Sequence, residues 1–506
     1  MSKRPAPGQV PLKIANMDIA SDNTATLAVV LIATGLLGWG WYRSRAYGKL
    51  GLLSWLQSVA LLAPWLIFFG LFSAGVYLNL AAMLLLIAVS TGAYIFLGSQ
   101  LRSTAQAQSQ RWQQAAESGE DGDLDGEPPN PLMVDRVPVP PEEMKVIQGI
   151  FGIDTFFATE TIPYLDGAIF KGNLRGEPSE VRQQLSDRLE EKLGDRYRIF
   201  LVANPDGKPV VVILPSSNDP KPLTTGQKLL AAVLFVATLF TTLETAALLQ
   251  GFDLFGNFDR FGEVLPLSMG IWIILGVHEL GHQLMASRRQ VRLSLPFFLP
   301  TWQIGSFGAI NQFLSLLPNR DVLFDVAIAG PAAGMGLSGL LLVAGLLMSG
   351  DTAGFQLPSE FFQGSVLVGT LAKTTLGDAL QNPIVGVHPL AIVGWIGLVL
   401  NAINLMPAGQ LDGGRIVQAI YGRKVLGRMT VATLIVLAIA SFANILALYW
   451  AVLILFLQRQ PERPALEELN EPDDTRAALG LLALFLMLAT LIPLSPSLAG
   501  RLGIGA

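Results

Sequence analysis

The sequence predicts an α-helical polytopic membrane protein that carries a small soluble α/β insert. The mean hydropathy of the 506 residues is +0.48. Only 14% of them are charged, whereas soluble proteins carry about a quarter. The chain also contains several apolar runs of about 20 residues, the length that crosses a bilayer as a helix. Because there is no cysteine, any metal ion must be held by nitrogen and oxygen ligands.

The apolar runs predict the membrane spans. In chain order these are 26–42, 52–73, 77–98, 227–250, 264–286, 323–349, 389–407 and 476–496. The run 429–458 is too long for one upright span and predicts a tight hairpin that turns near Asn444. This pattern gives an N-terminal transmembrane region at 1–100, a membrane core at 223–428 and C-terminal transmembrane helices at 429–506.

A polar stretch separates the third and fourth spans. Residues 101–137 are acidic and rich in Gly and Pro, which predicts a disordered linker. Residues 138–222 predict a soluble α/β domain. Its helix is "SEVRQQLSDRLEEKL" with Ser179 as the N-cap. The β-branched runs "YRIFLVA" and "KPVVVILP" flank "NPDG", which is typical of a hairpin turning at Gly207.

The fifth span contains "GVHELGHQLM". On a helix, His278 and His282 share one face, which suits two imidazoles on one tetrahedral Zn²⁺ with Glu279 beside them as a base for bound water. The alternative is that both histidines only form hydrogen bonds to neighbouring helices. Burying His, Glu and His together in a membrane helix is expensive without a function, which favours the metal site.

A catalytic zinc needs a third protein ligand, and a carboxylate is the obvious candidate. Four acids lie in or near the spans: Glu244, Asp321, Asp325 and Asp412. Basic residues after the fifth and seventh spans predict that both spans end on the cytoplasmic side. Asp412 follows the seventh span in "NAINLMPAGQLDGGR". We expect Pro407 to end that helix and Gly409, Gly413 and Gly414 to allow a turn towards the metal. Asp325 is the runner-up.

Three motifs in this order resemble the site-2 protease family of intramembrane zinc metalloproteases: "HELGH", "GPAAG" and "NLMPAGQLDGG". The resemblance covers about residues 227–428 and implies that 223–428 is an intramembrane metalloprotease core. It further implies that His278, His282 and Asp412 bind zinc. Glu279 would be the catalytic general base, and Asn404 would bind substrate or an oxyanion.

The tetrapeptide "GNLR", Gly172 to Arg175, is similar to one found in the plant and cyanobacterial branch of ethylene-dependent gravitropism-deficient and yellow-green (EGY) proteases. Gly172 and Arg175 could form a turn closed by a salt bridge. Some plant members of this branch lack HExxH and are thought inactive. This chain keeps every motif residue, which implies a competent enzyme.

Two further features are expected beside the site. Gly330, Pro331 and Gly334 allow close helix approach towards Gly276 and Gly281. Residues 295–312 are apolar but broken by Pro and Gly, which predicts a re-entrant hairpin, because non-helical backbone at membrane depth must lie against protein or a cavity. Its edge could pair with an unwound substrate.

The sequence therefore predicts an endopeptidase that holds one Zn²⁺ per chain and performs regulated intramembrane proteolysis. Its partners would be a membrane-protein substrate with a transmembrane helix and the lipid bilayer. Nucleic acid is not expected, because the net charge is −5 and the basic residues are scattered; the oligomeric state is left open. The resemblance suggests a multi-pass protein of a cyanobacterial plasma or thylakoid membrane. The alternatives are a catalytically silent membrane chaperone and a metal or proton transporter.

Overall fold

A computed structural model gives the fold. It describes residues 48–73, scattered positions between 35 and 104, and residues 139–505 except Leu165, Pro205, Trp302, 351–353, Ala443 and 456–459. The predicted spans 26–42 and 77–98 and the linker 101–137 lie wholly or largely outside the described residues. The chain divides into two compact units, Met1–Val137 and Pro138–Ala506. The first contains helix α1, Gly48–Ser73, which corresponds to the predicted span 52–73.

The second unit contains the soluble domain and the membrane core. Its helices are α2 Pro141–Gln148, α3 Pro178–Leu193, α4 Thr225–Leu249, α5 Phe261–Arg288, α6 Arg320–Leu347, α7 Val366–Leu376, α8 Pro389–Asn404, α9 Asp412–Ala440, α10 Ile445–Leu453, α11 Asp474–Leu491 and α12 Pro496–Leu502. Its strands are β1 Phe156–Tyr164, β2 Gly167–Leu174, β3 Tyr197–Ala203, β4 Pro209–Pro215, β5 Phe297–Thr301, β6 Gly305–Ile310, β7 Phe355–Pro358 and β8 Ile384–Val387. The domain boundaries expected from the sequence stay a prediction.

The soluble region is α/β, as predicted. Its antiparallel sheet has the order β1-β2-β4-β3, and α3 packs on it through Val181, Leu185 and Leu189. The β3–β4 hairpin turns at Gly207, whose φ of 80° suits glycine. Ser179 is not the N-cap. The helix begins at Pro178, because the fixed φ of proline suits the first helical position.

The tetrapeptide Gly172–Arg175 does not form a turn. Gly172 lies in β2 opposite Ala158, next to a bulge in β1, and a Cβ there would meet the carbonyl oxygen of Phe157 at 2.2 Å. The backbone N–H of Arg175 donates to the carbonyl of Thr155 at 2.7 Å. Among the described residues Arg175 has no ion-pair partner, so the expected salt bridge is wrong. Gly172 is needed because the two strands approach closely.

Four helices of the described chain are long and apolar enough to cross a membrane, namely α4, α5, α6 and α11. They correspond to the predicted spans 227–250, 264–286, 323–349 and 476–496. The predicted span 389–407 is the shorter helix α8, which has 16 residues and ends at Asn404. At 1.5 Å per residue such a helix is about 24 Å long, less than the roughly 30 Å of bilayer hydrocarbon.

The run 429–458 forms the predicted hairpin. Helix α9 ends at Ala440 and α10 begins at Ile445, with Asn444 as its N-cap, whose side chain accepts a hydrogen bond from the N–H of Leu446 at 2.9 Å. The structure adds a break within α9 at Gly422, whose φ is 80°. Residues 412–421 therefore form a separate helical stretch in front of the remainder of α9.

Residues 460–470, here called the connecting segment, were expected only as part of the C-terminal transmembrane region. They run in extended form between the soluble domain and the membrane core. The N–H of Leu466 donates to the carbonyl of Leu317 at 2.8 Å, and its carbonyl accepts from the N–H of Leu201 in β3 at 2.8 Å. The N–H of Glu468 donates back to Leu201 at 3.0 Å. The segment therefore occupies the β3 edge of the sheet.

Helices α5 and α6 pack through a glycine contact. A Cβ at Gly281 would meet the carbonyl oxygen of Ala329 at 2.5 Å and the Cα of Gly330 at 3.1 Å. Gly276 is exposed and a Cβ there would meet nothing within 4 Å. Gly281 therefore belongs to the helix interface as expected, and Gly276 does not.

These two glycines give a matched pair for a stability test. Gly281→Ala should destabilise the protein by about 1–3 kcal/mol, because the new methyl group must push α6 away from α5. Gly276→Ala should be neutral or stabilising by up to about 1 kcal/mol, since alanine is the better helix former. Thermal unfolding of both variants in detergent measures the difference. Equal midpoints would contradict a tight α5–α6 contact.

Candidate active site

Three side chains that could hold a metal ion converge in the membrane core. His278 and His282 project from α5, and Asp412 is the first residue of α9. One ligand atom from each lies within 4.8 Å of the others. All three residues are buried, with 6%, 2% and 8% of their surface exposed. The i, i+4 spacing of the histidines thus places their rings together, as expected from helix geometry.

The hydrogen bonds of the two rings define their tautomers. Nδ1 of His278 lies 2.7 Å from Oδ1 of Asn401, and Nδ1 of His282 lies 2.8 Å from the carbonyl oxygen of Val326. Asn401 Nδ2 in turn donates to the carbonyl of Gly397 at 2.8 Å. Both ring partners are acceptors, so each Nδ1 carries a proton, and in the neutral form of each ring Nε2 presents a lone pair.

The resulting arrangement fits a zinc ion. The two Nε2 atoms are 3.1 Å apart, and they lie 3.3 Å and 3.4 Å from Oδ2 of Asp412. Three lone pairs that face one another repel unless a proton or a metal cation lies between them. Tetrahedral zinc with bonds of about 2.0–2.1 Å separates its ligand atoms by about 3.3 Å. The distances and the donor set therefore both match this metal.

The "GPAAG" motif makes room for the site. A Cβ at Gly330 would meet Nε2 of His282 at 2.2 Å, and a Cβ at Gly334 would meet Oδ1 of Asn401 at 2.2 Å. Both glycines lie on α6, one turn apart. A larger residue at either position would displace the ring of His282 or the amide of Asn401 that contacts the ring of His278. The motif therefore leaves space for the side chains of the candidate metal site, in addition to allowing helix packing.

Asp412 reaches the histidines because α8 ends early. The loop 405–411 is almost entirely buried, and Gly409 has a φ of 49°. Gly413 and Gly414 lie in α9 and not in the turn, which corrects the expectation for them. A Cβ at Gly413 would meet the carbonyl oxygen of Leu405 at 1.8 Å, so these glycines bring the start of α9 onto the loop. A carboxylate at a helix N-terminus is also favourable.

Asp325, the runner-up ligand, is engaged elsewhere. Its carboxylate accepts from Nε and Nη2 of Arg476 at 2.8 Å and 3.1 Å and also pairs with Arg289. This ion pair ties α6 to α11 and to the end of α5. Glu244 accepts from the N–H of Leu254 at 3.2 Å. The structure thus brings Asp412 to the histidines and gives Asp325 a structural partner.

Glu279 lies next to His278 and is buried, with 8% exposure. Its Oε2 accepts a hydrogen bond from Nδ2 of Asn311 at 2.7 Å. Among the described residues no donor contacts its Oε1. Sequence reasoning missed Asn311, whose only signal is a polar side chain at the end of the apolar stretch 295–312.

Asn404 contacts the hairpin instead of the metal ligands. Its Nδ2 donates to the carbonyls of Leu400 at 2.9 Å and Phe307 at 3.1 Å. A Cβ at Gly308 would meet Nδ2 of Asn404 at 2.4 Å, so glycine permits this contact. The expected role of Asn404 in substrate binding stays a prediction.

Residues 295–312 form the predicted hairpin. Strands β5 and β6 pair antiparallel with a bulge between Phe298 and Pro300. The hydroxyl of Thr241 in α4 donates to the carbonyl of Gly305 at 2.6 Å, which fixes the turn end. In the described chain neither strand pairs with a third strand. The hairpin therefore has sheet edges beside the site.

Two family profiles match the chain. The profile of peptidase family M50 matches residues 266–448, which include the two histidines, Glu279 and Asp412. A profile described as the EGY3 middle domain matches residues 145–221, which include the four-stranded sheet. No solved structure matches the chain.

The chain matches about two thirds to three quarters of the length of its curated relatives. The probable zinc metalloprotease EGY2, chloroplastic, of Arabidopsis thaliana is 41% identical over 372 residues, which are 72% of this chain and 67% of that protein. EGY1 of the same plant is 36% identical over 405 residues, 72% and 74% of the two chains. EGY3 is 34% identical over 379 residues, 69% and 65%.

The names of these relatives bear on two expectations. All three are described as chloroplastic, so the expectation of a cyanobacterial membrane is not borne out. The expectation of a multi-pass membrane protein is supported by the four helices that are long and apolar enough to cross a membrane. All three are described as probable zinc metalloproteases or metallopeptidases. By the extent of these matches the chain belongs to the site-2 protease family, peptidase family M50, within its EGY branch.

Proposed function

We propose that this chain is a zinc-dependent endopeptidase that cleaves transmembrane segments of membrane-protein substrates inside the bilayer, with one zinc ion per chain. The observation that carries the proposal is the buried convergence of two Nε2 atoms and one carboxylate oxygen at 3.1–3.4 Å. Glu279, on the same helix, supplies a base next to this centre. His278, His282 and Asp412 are the proposed ligands.

Each residue then has a distinct task. When bound, zinc would lower the pKa of a coordinated water towards about 7 and polarise the scissile carbonyl. Glu279 accepts the proton of the attacking water and delivers it to the leaving amine. Asn401 and the carbonyl of Val326 hold the rings so that both Nε2 atoms face the metal. The burial of the cluster restricts access of bulk water to the reacting bond.

The depth of the site supports cleavage within the bilayer. His282 and His278 lie about 9 Å and 15 Å before the last residue of α5, at 1.5 Å per residue. Because α8 ends at Asn404, the non-helical loop 405–411 lies at the same depth as the histidines. Non-helical backbone at membrane depth is tolerated where it is buried against protein, as this loop is. These positions favour a cut in the half of the bilayer next to the predicted cytoplasmic face, and a membrane helix in the lipid bilayer as substrate.

A metal or proton transporter is the second candidate, and two observations disfavour it. Transport needs further ligand sites along a path, and the described residues contain a single cluster suited to a metal ion. Asp325 of α6, an acid that a transport path could use, is instead held by Arg289 and Arg476. A silent chaperone is disfavoured by the intact ligand and base positions. Bound zinc together with peptide cleavage in purified protein separates all three functions.

Glu279→Gln tests the base. Glutamine keeps the size of the side chain but accepts no proton, so cleavage should fall by about 100-fold or more while zinc stays bound. Glu263→Gln is the matched control, because Glu263 is an exposed residue of the same helix that pairs with Arg260. Metal analysis and cleavage of a transmembrane substrate in detergent give both values. Loss of zinc from Glu279→Gln would show that this residue is a ligand.

Asp412→Ala and Asp325→Asn test the third ligand. Asp412→Ala should lose most of the zinc, because two imidazoles alone leave the site incomplete. Asp325→Asn should retain zinc and lower the unfolding temperature, since it leaves Arg476 and Arg289 without their buried partner. Zinc content and thermal unfolding are measured on both proteins. The reverse pattern of zinc loss would assign the third ligand to α6.

The substrate must be unwound before its peptide bond can reach the site. We expect an opened stretch to pair with the β5–β6 hairpin, so residues that weaken a helix should favour cleavage. The cleavage site of a transmembrane substrate is first mapped, and two leucines of the substrate next to it are then replaced by glycine. This change should raise kcat/KM about 5- to 20-fold, since Gly costs about 1 kcal/mol per residue in a helix. A short unstructured peptide with the same replacement is the control. Equal gains for both substrates would contradict unwinding as the limiting cost.

A further inference from the structure

The side-chain amide of Asn311 lies beside the proposed base. Its Nδ2, here called the donor face, has a hydrogen-bond partner, and its Oδ1, here called the acceptor face, has none among the described residues. Its Nδ2 donates to Oε2 of Glu279 at 2.7 Å. Its Oδ1 is buried and has no hydrogen-bond partner among the described residues, and only 5% of the residue is exposed. A buried acceptor without a donor typically costs free energy. This oxygen therefore indicates a donor that comes from outside the described residues.

The position of Asn311 is fixed by its backbone. Its carbonyl accepts a hydrogen bond from Nη2 of Arg415, whose guanidinium also contacts Oε2 of Glu462 at 2.9 Å and 3.1 Å. The next residue, Gln312, accepts from the N–H of Ser294 at 2.8 Å. Asn311 therefore cannot easily move to satisfy its own Oδ1.

The location of Asn311 indicates what the missing donor is. Asn311 directly follows β6, the strand next to which an opened substrate would lie, and an extended peptide offers one N–H per residue towards such an edge. A water molecule is the other possible donor. The contact with Glu279 places the oxygen next to the group that handles the proton of the reaction.

We propose that Asn311 is a positioning residue of this site: its side-chain Nδ2–H orients Glu279 and its Oδ1 accepts a main-chain N–H of the bound substrate. The proposal rests on the proposed protease function. The donor face keeps Oε2 of Glu279 occupied and turns Oε1 towards the reaction. The acceptor face holds the extended peptide in line with the base.

Two substitutions separate the two faces. Asn311→Asp keeps an oxygen at the Oδ1 position but replaces the donor by a second carboxylate oxygen beside Glu279. Asn311→Ala removes both faces. Asn444→Ala is the matched control, since Asn444 caps α10 outside the site. None of these residues is a proposed zinc ligand, so all three variants should keep the zinc content of the unmodified protein.

Binding is measured without cleavage in a Glu279→Gln background. A fluorescently labelled transmembrane peptide in detergent is the probe, and its Kd is read by anisotropy. Adding Asn311→Ala should weaken binding about 2- to 12-fold, the usual value of one neutral hydrogen bond. Adding Asn311→Asp should leave Kd within about twofold, because the acceptor is retained. Adding Asn444→Ala should leave Kd unchanged.

Cleavage is measured with Glu279 present. Asn311→Asp should lower kcat about tenfold or more with little change in KM, because the base loses its orienting donor. Asn311→Ala should lower kcat and raise KM. Zinc content and thermal unfolding are recorded for each variant. A variant that loses zinc would show a structural role for Asn311 in the metal centre and would overturn the proposal.

Two other outcomes would also overturn it. If Asn311→Ala binds the peptide as tightly as the background protein, the donor at Oδ1 is water and the substrate contact is wrong. If Asn311→Asp keeps full kcat, the orientation of Glu279 does not depend on this donor. Should Asn311→Ala not fold, the Asn311→Asp arm alone decides the donor face. Absence of cleavage by the unmodified protein would instead contradict the proposed function.

Discussion

The scaffold depends on one unfavourable arrangement, the convergence of three electron pairs in a buried site. His278, His282 and Asp412 face each other at 3.1–3.4 Å, and in a low dielectric such acceptors repel strongly unless a proton or a metal cation lies among them. The surrounding residues keep them there. Hydrogen bonds hold the outer ring nitrogens, and Gly330 and Gly334 on α6 leave space that any larger residue would fill. Gly330 and Gly334 are thus required by side chains of the site, whereas Gly281 is required only by the close packing of α5 on α6.

Buried arginines hold the helical stretch that carries Asp412. Arg320 donates through Nε to the carbonyl of Ala419 and through Nη2 to that of Ile420, both at 2.7 Å, where the stretch ends before Gly422. Arg415, one turn after Asp412, pairs with Glu462. Desolvation of a buried ion pair costs about as much as its attraction returns, so these pairs add little net stability. What they contribute is position, because a shift of α9 would leave charges without partners.

The features that follow local rules could be predicted, and those that join distant residues could not. Apolar runs predicted the spans that form α4, α5, α6 and α11, the i, i+4 rule placed His278 beside His282, and the Pro and Gly of 295–312 indicated a hairpin. The roles of Asn311 and Glu462 were not predicted, because their partners Glu279 and Arg415 lie 32 and 47 residues away along the chain. Neither residue belongs to a local sequence pattern. Gly413 and Gly414 were misassigned for a related reason: glycine next to aspartate is typical of a turn, and only the tertiary structure shows that a backbone carbonyl occupies the space of their missing side chains.

The connecting segment links the soluble domain to the site through a short series of contacts. Glu462 holds Arg415, which holds the carbonyl of Asn311, while Leu466 lies between Leu317 of the core and Leu201 of β3. The β3 edge is therefore closed by the chain itself, and Gly172 lies on β2 near the opposite edge of the same sheet. The tetrapeptide Gly172–Arg175 therefore lies away from the edge through which the connecting segment contacts the sheet. Gly172 is accounted for by the close approach of β1 and β2. The glycine therefore shapes the soluble domain, which the connecting segment holds against the membrane core.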